Sequence, residues 1–188
     1  LTLVGGSSTG VTVDGNGMSV DPAAYNHLAR GESEVIVYEY TIDDGHDSSV
    51  TQTATITIKG KNDSPTAVPD TAAAPENGPA IVVDLTDNDT DPDLTDDLRI
   101  VGVDTSSTDG SVTCSAGSDT ATYNPNGQFE HLADGETTVD TFLYTVADGH
   151  GGNDTVEVTV TVTGANDAPT VLAPLVASTN EDVLDTLV

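Results

Sequence analysis

The residues best able to do chemistry lie in one acidic run, Asp87-Asn88-Asp89-Thr90-Asp91-Pro92-Asp93, followed by Asp96 and Asp97. Alternate carboxylates in a Pro-containing loop can converge on one hard cation, which takes about six to eight oxygens at roughly 2.3–2.6 Å. Carboxylate and carbonyl donors, without Cys or paired His nearby, favour calcium over zinc or copper. The run is not an EF-hand. Asp87, Asp89 and Asp91 fit the first half of that loop, but Pro92 stands where its Gly is needed and Leu98 where its bidentate Glu is needed.

A second candidate occurs twice, as Asn62-Asp63-Ser64-Pro65 and Asn166-Asp167-Ala168-Pro169. Each offers side-chain and backbone oxygens in an extended segment that cannot join a helix. An ordinary turn between domains would look similar. Recurrence at the domain period favours a ligand role.

Catalytic readings find little support. No Ser lies in a Gly-x-Ser-x-Gly context. Paired acids for glycoside cleavage need a cleft and a raised pKa, whereas these acids lie in repeated linkers. His27 and His131 precede Leu in matching loops and read as loop-holding groups; His46 and His150 sit in turns beside acids. Gly151-Gly152-Asn153-Asp154 resembles one calcium-binding nonapeptide, but a β-roll needs several consecutive copies. No enzyme activity is expected.

Charge narrows the partners. The chain has 188 residues, with 4 Lys and Arg against 32 Asp and Glu, for a formal net charge of −28. Such a surface repels nucleic acid and anionic membranes alike. The acids comprise 24 Asp and 8 Glu. Asp suits turns better than helices or strands, so this load reads as ligand supply. Cys114 stands alone, so no disulfide is expected within the chain. No apolar run suits a membrane span, and no signal peptide is seen. Beginning at Leu1 in mid-pattern, the sequence reads as an internal piece of something longer.

The elements that must position these groups follow from internal repetition. His27-Leu28-Ala29-Arg30-Gly31-Glu32 returns as His131-Leu132-Ala133-Asp134-Gly135-Glu136, a shift of 104 residues. The same shift carries Asp44-Gly45-His46 onto Asp148-Gly149-His150, and Gly60-Lys61-Asn62-Asp63 onto Gly164-Ala165-Asn166-Asp167. Between those anchors the pattern has period two. Phe142, Tyr144 and Val146, then Val156, Val158, Val160 and Val162, alternate with Thr and other residues. These are half-buried strands. The class is all-β.

Seven strands are predicted in the central repeat, near residues 67–73, 80–85, 98–104, 110–115, 119–123, 138–148 and 154–163. Seven short strands joined by Gly, Asp and Pro turns favour a two-sheet sandwich. Loops 86–97 and 148–153 would share one end, and loops 74–79 and 124–137 the other. The predicted domains are a partial first repeat over 1–62, a complete repeat over 63–166, and the first two strands of a third over 167–188. Residues 171–188 are also candidates to supply the strands that residues 1–62 lack.

Several of these motifs resemble those of a known family. Pro75-Glu76-Asn77 resembles the Pro-Glu-Asn element of cadherin repeats, and Val146-Ala147-Asp148-Gly149 their late-strand signature. Asp91-Pro92-Asp93 resembles their Asp-x-Asp element, and Asn166-Asp167 the core of their linker. The whole repeat is more similar still to the cadherin-like and VCBS-type repeats of giant, RTX-type bacterial surface adhesins. That resemblance implies tandem Ig-like β-sandwiches of about 104 residues with calcium at their junctions.

Carried over by position, it implies that the first junction uses Asn62, Asp63, Asp91, Asp93 and Asp148, with Asp89 as a further candidate and Glu32 reaching across from the preceding copy. The second would use Glu76, Glu136, Asn166 and Asp167, with Asp134 as a further candidate. Two departures stand out. Gly60 and Gly164 replace the first linker Asp of cadherins, and Arg30 replaces the acid found at Asp134.

The function so implied is a non-catalytic, secreted or cell-surface extender whose partners are adjacent repeats of the same long chain, joined through Ca2+ and supporting adhesion and biofilm formation. Two alternatives are a calcium-dependent glycan- or protein-binding module and a spacer in a secreted hydrolase. A glycan face would need exposed aromatics, yet the chain has no Trp, 5 Tyr and 2 Phe.

Overall fold

A computed structural model describes residues 2–15 and 17–169. Its first unit contains β1 (Thr2–Gly5), β2 (Val11–Asp14), β3 (Gly17–Val20), a 3-10 turn at Pro22–Tyr25, β4 (Ser33–Asp43) and β5 (Ser49–Lys59). The second contains β6 (Asp70–Pro75), β7 (Ile81–Asp84), β8 (Arg99–Asp104), β9 (Ser111–Cys114), β10 (Thr120–Asn124), β11 (Thr137–Ala147) and β12 (Asn153–Thr163). The fold is all-β, and the second unit pairs a sheet ordered β6-β12-β11-β8 with one ordered β7-β10-β9. The third-repeat strands expected after residue 169, with their role in completing the first unit, lie outside the described residues.

Period-two patterning decides what is buried. Along β11 the inward positions are Asp140, Phe142, Tyr144 and Val146, and along β12 they are Val158, Val160 and Val162. Ile100 on β8 joins them. They meet Val83, Ala121 and Tyr123 of the facing sheet in one core. Outward positions on the same strands are largely Thr, where Thr145 Oγ1 and Thr155 Oγ1 lie 2.8 Å apart.

The 104-residue repeat persists in the backbone. Ser33 pairs with Lys59 and Asp43 with Ser49, as Thr137 pairs with Thr163 and Ala147 with Asn153. Burial is where the two copies diverge. Ile42 is 60% exposed, whereas Val146, its counterpart 104 residues on, is 0% exposed. In the second unit β6 adds to the edge of β12 in parallel, and β7 completes the facing sheet. Among the described residues β5 and β3 have no such neighbours.

One strand begins later than its sequence suggests. Expected from residue 67, β6 starts at Asp70. Pro69 has no N–H to give a ladder, and the Val68 N–H donates to Asp89 Oδ1 at 2.8 Å. Ahead of it, Thr66 and Thr90 form an isolated antiparallel bridge. That bridge fastens the linker to the acidic loop.

Candidate metal centre at the linker

Linker, acidic loop and β11–β12 turn meet at one end of the second unit. The Thr66 N–H donates to the Thr90 carbonyl at 2.7 Å, and the Thr90 N–H returns the bond at 3.1 Å. The Asp63 N–H then donates to Asp93 Oδ2 at 2.8 Å. Asn62 Nδ2 donates to Asp148 Oδ2, also at 2.8 Å. Asp148 itself ties the turn that follows β11: its Oδ1 accepts from the N–H groups of His150, Gly151 and Gly152 at 2.7, 2.9 and 3.0 Å. Burial pushes the Asp148 carboxyl pKa up, but the Asn62 amide and these N–H donors outweigh it. The net position is below the usual carboxylate range.

Beside this seam, carboxylate oxygens of Asp91, Asp93 and Asp96 lie within 4.8 Å of one another. The Asp93 N–H donates to Asp91 Oδ1 at 2.8 Å. A turn closed by the Asp96 N–H on the Asp93 carbonyl at 3.1 Å brings the third acid back beside the first two. Asp93 is 1% exposed, and so is the Asp96 side chain. Four buried oxygens here have no hydrogen-bond donor: Asn62 Oδ1, Asp91 Oδ2, Asp93 Oδ1 and Asp96 Oδ1.

Burial raises the Asp91 carboxyl pKa; the Asp93 N–H offsets this in part, and the charges of Asp93, Asp96 and Asp148 push it further up. Among the described residues no Lys or Arg pairs with this cluster, since Arg99 is engaged with Asp97 and Asp119. Two carboxylates about 5 Å apart repel by roughly 3 kcal/mol at an effective dielectric near 20. Hard oxygen donors, buried and short of partners, fit a hard dication such as calcium.

The structure brings together Asn62, the Asp63 backbone, Asp91, Asp93 and Asp148. It adds Asp96, whose place depends on a turn that residue spacing alone does not reveal. It takes Asp89 elsewhere, because the Tyr144 hydroxyl donates to both its oxygens at 2.9 and 3.1 Å. For Glu32, Oε2 accepts from the Ala29 N–H at 3.0 Å, and its carbonyl accepts from the Gly60 N–H at 3.0 Å.

At the opposite end of the unit, Glu76 is 3% exposed, with Oε1 accepting from the Ala165 N–H at 2.6 Å and Oε2 lacking a donor. Glu136 Oε2 accepts from the Ala133 N–H at 2.9 Å. Asp134, Asn166 and Asp167 are exposed.

Glycines explain two features of the seam. A Cβ on Gly60 would collide with the Leu28 and Ala29 carbonyls, and one on Gly164 with the Ala133 carbonyl and Leu132. An Asp at either linker position therefore has no room. A Cβ on Gly152 would overlap Asp148 Oδ2 and come within 2.9 Å of Ser64 Cα and Oγ. Gly152→Ala is expected to cost about 2 kcal/mol, within the usual range for overpacking, and to detach the linker. Backbone amide exchange at Asp63 and Gly152 checks it; unchanged protection would refute the account.

The family described as "Bacterial cadherin-like domain" matches residues 62–164. A search of curated proteins by sequence finds no match. Among solved structures, the chain is similar to human mucin-like protocadherin EC1-2 at 14% identity and a TM-score of 0.51, covering 87% of this chain and 83% of that one. It is also similar to Drosophila N-cadherin EC1-4 at 18% identity and a TM-score of 0.47, covering 89% of this chain and 42% of that one. A nucleoside hydrolase-related hypothetical protein from Saccharophagus degradans matches at 20% identity and a TM-score of 0.36, over 55% of this chain and 26% of that one. The protocadherin likeness bears on fold alone and agrees with the sandwich described above.

Proposed function

The chain belongs to the bacterial cadherin-like domain family, and on that footing we propose that it is a non-catalytic, calcium-binding extender module of a bacterial surface adhesin. One observation carries the reading. The oxygens of Asn62, Asp91, Asp93 and Asp96 that lack a donor gather where a linker enters a repeat. Each buried acceptor left unpaired costs about 1–3 kcal/mol. A single dication held by Asp91, Asp93 and Asp96 would take up oxygens left without a donor there and cancel the repulsion among the three acids.

Calcium there would fasten residues 62–63 to loop 86–97 and set the direction in which one sandwich leaves the other. Glu76, with its own oxygen lacking a donor beside Ala165, is the counterpart anchor at the second junction, near Asp134, Glu136, Asn166 and Asp167. Binding that completes only in the folded state couples to folding. Low cytoplasmic calcium would leave the chain loose for export, and millimolar calcium outside the cell would order it. The module's partners are then neighbouring repeats of the same chain.

Aromatic burial favours an extender over a glycan-binding face. Tyr25, Tyr38, Tyr123, Tyr144, Phe129 and Phe142 are all buried, which leaves Tyr40 alone half-exposed. Sugar rings would find almost nothing to stack on.

Small-angle scattering in millimolar calcium and again in chelator tests the extender role. The expected result is a longer, narrower distance distribution with calcium. Superimposable profiles in the two conditions would reject the role.

A further inference from the structure

We propose that the open face of the first unit is a docking site for residues 171–188 of a second copy of this chain, which enter as the two strands that the second unit holds as β6 and β7. Such docking is independent of the calcium site.

The second unit shows the seat filled. There β6 lies parallel along β12, from Val158 against Asp70 to Thr163 against Pro75, and β7 runs antiparallel to β10. Together they bury Ala74 and Val83 in the core. In the first unit β5 stands 104 residues before β12, and β3 stands 104 residues before residues 121–124 of β10. Among the described residues neither has a strand on that side. The side chains beneath are uncovered. Ile42 and its cross-strand partner Val50 are 60% and 57% exposed. An open groove of about 650 Å3 runs past Met18, Tyr40, Ile42 and Ala54. Tyr144, the counterpart of Tyr40, is fully buried.

The same shift identifies the occupant. Residues 174–179 and 185–188 stand 104 positions after β6 and β7. Val176 takes the place of Ala72, and Leu187 that of the buried Val83. Pro174 falls where β6 begins, a position that tolerates a missing N–H. A free strand edge with apolar side chains exposed beside it is a ready template for an added strand.

Charge agrees with this seating. After β6, Glu76 donates its N–H to the Thr163 carbonyl and accepts from the Ala165 N–H. The first-unit counterparts of Thr163 and Ala165 are Lys59 and Lys61, both exposed. Arg30 follows Ala29, whose carbonyl packs against Gly60 between them. Three of the chain's 4 basic residues therefore lie where the donor's Glu181 and Asp182 would arrive.

The tether selects a second copy as donor. Residues 164–173 can span at most about 36 Å. The 11-residue β12 is itself about that long, and its start adjoins the linker, since Gly152 packs against Ser64. A donor strand parallel to β5 must begin beside Ala54, five residues before β5 ends at Lys59 and on the far side of that linker. A tail that can only retrace its own unit does not reach.

Sedimentation of the full chain over a range of concentrations tests the docking, and two double-cysteine variants in a Cys114→Ser background test its register. Thr57→Cys with Ala177→Cys places thiols 104 residues from Thr161 and Ala73, which pair in the second unit. Thr53→Cys with Ala177→Cys is four residues out of register, roughly 13 Å, beyond disulfide reach. The parent should associate as its concentration rises. Mild oxidation should join the first pair between copies, giving about tenfold more linked dimers and larger species than the second pair. Lys61→Glu should weaken association severalfold. A parent that remains a monomer at every concentration would overturn the proposal whatever the variants do, and so would equal cross-linking by the two pairs or cross-linking confined within one chain.

Discussion

Chelating calcium is expected to lower the melting temperature of the second unit by about 16–32 °C, the largest effect any single change of solvent should have. The magnitude follows from linkage. A ligand present at roughly a thousand times its dissociation constant stabilises the folded state by about 4 kcal/mol. For a unit of this size each kcal/mol moves the midpoint by about 4–8 °C. The structural source is the cluster of Asp91, Asp93 and Asp96, whose repulsion no described Lys or Arg relieves. Sodium chloride should substitute poorly, because screening acts weakly on buried charges. Differential scanning calorimetry in calcium, in chelator and in chelator with added salt separates these effects. A midpoint unmoved by chelator would mean that the acids tolerate one another without a cation.

Asp140→Ala should be the most damaging single substitution, costing about 3–5 kcal/mol and independent of calcium. Asp140 is a buried carboxylate on β11, facing the core beside Phe142. The Tyr123 hydroxyl donates to its Oδ2 at 2.8 Å and the Gly110 N–H to the same oxygen at 2.9 Å. Its Oδ1 accepts from the N–H groups of Asp109 and Thr141, each at 3.0 Å. The carboxylate thereby pins the loop between β8 and β9 to the opposite sheet. Burial first, and then the bond to Asp140, push the Tyr123 hydroxyl pKa far up, so it remains a donor across the accessible pH range.

Removing the acid leaves a buried hydroxyl and buried N–H groups without an acceptor, and each carries its own desolvation cost. Tyr123→Phe should be milder, about 1 kcal/mol, because three donors to Asp140 survive. Urea unfolding with and without calcium checks both points. Asp140 lies eight residues from Asp148 along β11, roughly 26 Å at strand rise, so its penalty should add to that of chelation. A penalty that calcium abolishes would show the two sites to be coupled.

Much of this molecule was legible in one dimension because its governing rules are local. Alternation of Phe142, Tyr144 and Val146, and of Val158, Val160 and Val162, specifies strands with one buried face. Gly, Asp and Pro between them specify turns. The 104-residue repeat then doubles every signal. Strand positions in the second unit follow within a few residues, and the exception at β6 comes from Pro69, whose missing N–H is itself a sequence feature. The acidic loop and the Asn-Asp linker were equally visible as oxygen-rich segments without a cation partner.

The choice among those acids was not visible. Asp89, Asp91, Asp93 and Asp96 all look like ligand supply in the sequence, yet Asp89 is claimed by Tyr144, 55 residues away, and Asp96 is placed by His150, 54 residues away. Asn62 meets Asp148 across 86 residues, and Asp63 meets Asp93 across 30. Asp140 alternates with core residues on β11, and only the β8–β9 loop resting on it shows what its carboxylate holds. Local periodicity says which way a side chain leaves its strand, but a ligand set is defined by convergence. Convergence depends on how distant loops are brought to one end of a sandwich, and only the assembled sheets supply that geometry.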